Sequence, residues 1–345
     1  MIESHIRYLD GWRGLAIVFL LIGHFFPVPG INLGAVGVNL FFVLSGYLMG
    51  GLLFVRRTPI PHFYRRRIAR ILPAHLFFLA CTVLAFAASG LPIAWGEAAA
   101  ALLFVNNYFL ETSMPLGHIW SLSVEEHSYI LLSVVALLSR RLWIEARWTA
   151  AVIAMLCSLA GFWYWTAFTG DDLEFRKWLH TEVSAYGIFV SCALLLFLGR
   201  ARIPALPAPV YPLLLLAGIT LHWWSVPLPV RTTLGVGLFA LALNLLPAAP
   251  AAIKRFLEFA PLTRMGTWSF SIYLWQQPFY IASAKYDLLP EYAAAPLAVG
   301  CGIASYHLVE SPARAYLNRV WGSAGSSSAA LANAAADTRP ASSQN

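Results

Sequence analysis

Ten apolar runs, each long enough or nearly so to cross a bilayer, fill most of this chain: about 12–28, 36–55, 72–89, 125–139, 148–168, 183–199, 209–225, 232–247, 267–284 and 293–311. Crossing roughly 30 Å of hydrocarbon takes about 20 mostly apolar residues at about 1.5 Å each. Ten spans and short loops use up nearly all of the 345 residues, and no soluble domain of useful size is left. Composition agrees: 59% of the residues are hydrophobic and 11% charged, against roughly 25% charged in a soluble domain. The expected fold is an all-α, polytopic membrane bundle of about ten transmembrane helices.

The basic residues set its orientation. With the N-terminus in the cytoplasm, nineteen of the 23 Lys and Arg residues fall in cytoplasmic segments, while Arg176, Lys177, Arg231 and Lys285 fall in outer loops. Short loops rich in Lys and Arg stay inside, so both termini are expected to be cytoplasmic, as in a multi-pass protein of the bacterial inner membrane. The net charge of +7 would suggest nucleic acid in a soluble protein. Here the basic cytoplasmic face accounts for it, and lipid, not nucleic acid, is the expected partner. Cys81, Cys157, Cys192 and Cys301 lie inside apolar runs without metal-ligand spacing and read as small hydrophobes. No metal is expected.

Residues 1–321 are expected to form the membrane domain, with its first helix retained and not cleaved as a signal peptide. Residues 322–345, rich in Ser and Ala, read as a disordered cytoplasmic tail. Two segments interrupt the spans. AAAALLFVNNYFL, in the outer connection between Gly90 and Trp120, is short for a span and suits an interfacial or re-entrant piece. PIPHFYRRRIARILP, between Pro59 and Pro73, reads as an interfacial amphipathic helix on the cytoplasmic side.

Ionisable groups are costly inside a bilayer, so each is a functional candidate. In LDGWRGLAIVFLLIGHFF, Arg13 and His24 are eleven residues apart. That places them on one helix face, about 16 Å apart along the axis. A neutral imidazole there can accept a hydroxyl proton, as a general base for acyl transfer must. The glycines of GVNLFFVLSGYLMGG suit close helix packing, with Asn39 and Ser45 as polar members. HIWSLSVEEHSYI brings His118, Glu125 and Glu126 to the outer mouth of the fourth span. Glu125 needs a partner there, and one of the two glutamates is expected to be solvated. The arginines of FYRRRIARILP suit either anionic lipid headgroups or a clamp on cofactor phosphates. TWSFSIYLWQQPF adds Tyr273, Gln276 and Gln277; SYHLVESPAR adds Glu310, with Arg314 four residues on as a local ion-pair partner.

Six ordered blocks carry a resemblance: YLDGWRGLAI with the following His24, GVNLFFVLSGYLMG, FYRRRIARILP, HIWSLSVEEHSY, WSFSIYLWQQPF and SYHLVESPAR. From about residue 6 to 317 the chain resembles acyltransferase family 3, the integral-membrane O-acetylases that modify cell-surface polysaccharides. The resemblance implies transfer of an acyl group, most often acetyl from acetyl-CoA, to a hydroxyl of a sugar, glycan or glycoside acceptor. It points to His24 as base, Arg13 as its electrostatic partner and Glu125 as a further pore carboxylate. It favours a clamp for acyl-CoA at Arg67 and Arg70, with Arg66 beside them; Asp10, Asn39, Ser45, Tyr273 and Gln276 are expected as substrate-facing polar groups of the pore. The acyl group passes either directly to the acceptor or through acylated His24.

Two departures stand out. His180 and Glu182 occupy a stretch where relatives often carry Arg, and Gln276 stands where many have His after YLW. The esterase-like domain of some longer members is not in these 345 residues, so the membrane part or a separate polysaccharide-assembly protein is expected to complete transfer. A proton-coupled transporter and a lipid-linked glycan translocation subunit are the alternatives from other classes.

Overall fold

The computed structural model describes residues 6–91, 93–109, 115–142, 144–167, 178–199 and 206–321. Among these the fold is helical throughout, apart from a single antiparallel bridge between Ile31 and Trp223. The main helices are α1 (Arg7–Phe25), α2 (Leu33–Gly50), α3 (Ile60–Ala88), α4 (Trp95–Leu102), α5 (Trp120–Arg141), α6 (Ala146–Ala167), α7 (Tyr186–Leu198), α8 (Val210–Thr220), α9 (Val236–Leu245), α10 (Ala251–Leu257), α11 (Ala260–Ala284) and α12 (Glu291–Ser305). Short π-helical turns extend α2 over Gly51–Val55, precede α9 over Arg231–Gly235 and follow α12 over Tyr306–Glu310. The expected tail and the basic residues Arg176, Lys177, Arg200 and Arg202 lie outside the described residues.

Seven helical segments among the described residues are long and apolar enough to cross a membrane: Leu33–Val55, Ile60–Ala88, Gly117–Arg141, Ala146–Ala167, Thr181–Leu198, Leu228–Ala248 and Glu291–Trp321. Three of the ten expected runs fall short of that standard for physical reasons. α8 is apolar but only 11 residues long. α1 carries Asp10, Arg13 and His24, and α11 carries Arg264, Gln276 and Gln277, within otherwise apolar helices. The polar groups that make these two helices interesting are what dilute their apolarity.

Local chemistry explains the breaks. Asn32 caps α2, its side chain accepting from the Ala35 N–H at 2.9 Å. Pro59 precedes α3 and Pro61 sits in its first turn, where the missing N–H costs nothing. Gly90 takes φ 73° just beyond the end of α3, a conformation that favours glycine. The basic segment is not a separate interfacial helix, as the sequence suggested. It is the first half of α3, 29 residues long and continuous through Pro73. The described part of the AAAALLFVNNYFL stretch forms the end of short α4 and the turn at Asn106–Tyr108.

α1 is packed between α2 and α11, with α12 behind α11 and α7 linking α2 to α6. Tight seams hold α1 in place. A Cβ on Gly266 of α11 would fall 1.8 Å from the Asp10 carbonyl oxygen, and one on Gly14 would fall 2.1 Å from that of Leu262. Backbones that close require glycine on one side.

Candidate active site

A pocket of about 740 Å³, measured with its open mouth, lies where α1, α2, α3, α5 and α11 meet. Its polar wall comprises Arg13, Ser45, Arg67, Arg70, Ser121, Glu125, Tyr129, Ser269 and Tyr273, and Phe41, Phe42 and Met49 are among its apolar members. Four of the polar residues expected from sequence meet here with the two α3 arginines.

Glu125 accepts from the Ser45 hydroxyl at 2.6 Å and from the Tyr129 hydroxyl at 3.0 Å. Arg67 reaches Glu125 at 3.5 Å and grips Glu126 through Nε at 2.9 Å and Nη2 at 2.7 Å. Neither glutamate is simply solvated, contrary to expectation, because both flank one guanidinium that is only 11% exposed. Arg13 pairs with Asp10 at 2.5 Å. Arg70 differs: it is half-buried and lines the pocket, yet makes no hydrogen bond or ion pair among the described residues. Arg66 is exposed and outside the pocket lining. The turn spacing is the reason, since positions 67 and 70 share the inward face of α3 and 66 does not.

Tyr129 and Ser121 were not singled out from sequence. They stand four residues to either side of Glu125, and that spacing on one helix face is a readable signal. The Ser121 hydroxyl meets the Tyr273 hydroxyl at 2.5 Å, and Tyr273 also donates to the His118 carbonyl. Pro278, four residues after Leu274, cannot donate to the Leu274 carbonyl.

His24 lies beyond this pocket. Its Nδ1 is 2.6 Å from Gln276 Oε1, and its ring stacks on Tyr280 with centroids 4.8 Å apart. Between Arg13 and His24, on the same face of α1, come Ile17 and Leu20, exposed by 0% and 1% and packed among Phe78, Leu122 and Ile272. The expected channel joining the two groups is therefore closed by an apolar plug. Helix periodicity puts Arg13 and His24 on one face, but it puts Ile17 and Leu20 there too. Asn39 turns away from the pocket and bonds His222 Nε2 at 3.0 Å. Glu310 forms no close ion pair with Arg314 among the described residues; it is buried and accepts from Ser271 at 2.7 Å.

On the connections that follow α4 and α6, Glu182 accepts from Tyr108 at 2.9 Å, Tyr164 at 2.7 Å and His180 Nδ1 at 3.2 Å. Burial pushes the Tyr108 phenol above its ordinary value, and the bond to Glu182 adds to the shift. These residues tie the two connections together. No group of three or more His, Cys, Asp or Glu side chains among the described residues is arranged to hold a metal ion.

A helical membrane-type domain with a polar, cation-lined pocket buried among its helices is the class defined so far. The chain belongs to the acyltransferase family whose domain model, described as an acyltransferase domain, matches residues 6–309. It is similar to the putative peptidoglycan O-acetyltransferase YrhL of Bacillus subtilis strain 168, at 25% identity over 90% of this chain and 56% of that protein. It is also similar to the O-acetyltransferase OatA of Staphylococcus aureus, at 27% identity over 89% and 57%, and to the peptidoglycan O-acetyltransferase OatA of Listeria monocytogenes, at 26% over 80% and 49%. The chain thus spans about half the length of these relatives. No solved structure shows significant similarity to it.

Proposed function

We propose that the chain is a membrane O-acetyltransferase of ten spans with both termini cytoplasmic, moving acetyl from cytoplasmic acetyl-CoA to a glycan hydroxyl near the outer face. The observation that carries this reading is the convergence of Arg13, Arg67 and Arg70 on one pocket beside Glu125, in a chain of the acyltransferase family. The ten-span bundle draws its support from the two polar helices that flank the site, and its orientation from the basic residues. The relatives' names support a glycan acceptor of the peptidoglycan kind.

Two of the three pocket guanidiniums are already neutralised by carboxylates, whereas Arg70 is not. Arg70 is the group with charge to spare for a phosphate of CoA, which an arginine grips bidentately. Arg13, held by Asp10, lies at the head of the route toward His24. For the thioester to pass, Ile17 and Leu20 must move aside. At His24 the acceptor hydroxyl gives its proton to the imidazole as its oxygen attacks the thioester carbon. The C–O bond forms, the C–S bond breaks, and the imidazolium returns the proton to the departing thiolate. A positioned general base of this type contributes about 10²–10⁴ in rate.

The test is transfer of labelled acetyl from acetyl-CoA to glycan in membrane vesicles. His24→Ala and Arg13→Ala are each expected to abolish transfer while the protein still accumulates in the membrane. Acetylation at the unmutated level in either variant overturns the site.

A further inference from the structure

We infer that Gln276 is a positioning residue that holds the proton of His24 on Nδ1, leaving Nε2 as the basic nitrogen, directed toward Gly34. This deepens the reading of His24 as the general base and rests on it.

The carboxamide oxygen of Gln276 can only accept, so the 2.6 Å contact requires a hydrogen on His24 Nδ1. The amide is held in that sense from its other end, where Gln276 Nε2 donates to Gln277 Oε1 at 3.3 Å. Gln276 is fully buried. Tyr280, four residues on, stacks against the imidazole and fixes its plane. With Nδ1 occupied and the ring clamped, the lone pair belongs to Nε2.

On the Nε2 side the ring faces a glycine, Gly34, and meets no side chain from that position. A Cβ on Gly34 would stand 3.3 Å from both Nε2 and Cδ2, tighter than an approaching hydroxyl could share. Gly34 lies in the first turn of α2, and the neighbouring contact is closer still: a Cβ on Gly23 would meet the Gly34 nitrogen at 2.1 Å. The titratable groups facing this imidazole are Tyr280 from α11 and His118 from the Gly117–Ile119 turn. α2 presents Asn32 and Gly34, and α12 meets this end of α1 through Ala294 and Ala298. No carboxylate pairs with His24 among the described residues, so a neutral amide alone sets the tautomer.

The experiment is the pH–rate profile of labelled acetyl transfer from acetyl-CoA in vesicles carrying their own glycan, for the unmutated protein, Gln276→Leu, Gln276→Glu and His24→Ala. Gln276→Leu, which frees the tautomer, is expected to lower the rate by about ten-fold or more. Gln276→Glu keeps an acceptor on Nδ1 and adds a charge that favours imidazolium. It is expected to retain transfer with its acidic limb moved about 1–3 pH units higher, a change that a merely packing role would not produce. His24→Ala inactive, with both Gln276 variants matching the unmutated profile in rate and pH, overturns the inference while leaving the base in place. His24→Ala fully active overturns the reading beneath it.

Discussion

The guanidinium of Arg67 lies 3.5 Å above the ring of Tyr129, while its edge is gripped by Glu126 and the Tyr129 hydroxyl serves Glu125. One cation is thus held on its face by an aromatic quadrupole and on its rim by two carboxylates. Arg67→Ala leaves both glutamates without their cation. Removing one partner of a fully buried pair costs about 3–5 kcal/mol, and the partial exposure here brings that to about 2–3 kcal/mol. Thermal unfolding in detergent is expected to show it. Tyr129→Phe keeps the stacking and loses one hydrogen bond, for about 1 kcal/mol.

Arg70 is expected to behave in the opposite way. It has no hydrogen bond or ion pair to abandon among the described residues, so Arg70→Gln should leave the unfolding temperature within a degree or two of the unmutated protein. A hydrogen bond to a charged group is worth about 1.5–3 kcal/mol, so the KM for acetyl-CoA should rise about 10–100-fold. Steady-state transfer kinetics over a range of acetyl-CoA concentrations measure it, and an unchanged KM excludes Arg70 from the donor site.

Leu20 plugs the space between pocket and imidazole. Leu20→Ala should cost about 2–5 kcal/mol as a cavity. It should also let water follow the thioester, so that acetyl-CoA is hydrolysed without any acceptor. Release of free CoA in acceptor-free proteoliposomes is the measurement; no rise over the unmutated protein would show that Leu20 does not guard the passage.

Gly34→Ala places a methyl group against His24 Nε2. The expected result is a fall in kcat of at least ten-fold with the pH profile unmoved, because the methyl obstructs the nitrogen without changing its charge. Transfer assays across pH separate this from the Gln276 variants.

Much of this was legible in the chain and some was not. The apolar runs gave the helical bundle, their polar members gave Arg13, Ser45 and Glu125 of the pocket, and the basic segment together with the family resemblance gave Arg67 and Arg70. Periodicity reached that far because each residue's face follows from its position on its own helix. The contact of His24 with Gln276 spans 252 residues and depends on how α1 and α11 pack, which no single-helix pattern carries. The same limit hid the plug, since a face shared by polar and apolar residues does not say whether the space between them is open. Asn39 was expected at the pore and instead serves His222, because the turn after α8 brings that imidazole against the start of α2. Glu126 looked solvated only because the cation that binds it arrives from α3, 59 residues earlier in the chain.

The glycine seam along α1 has one last consequence. With Gly14 and Gly266 letting the backbones of α1 and α11 touch, neither helix can roll or slide past the other without collision. That half of the molecule is an anvil. Any breathing that admits a bulky thioester falls to side chains, the Ile17 and Leu20 plug on one jaw and the grip of α3 and α5 on the other, which can let go and close again.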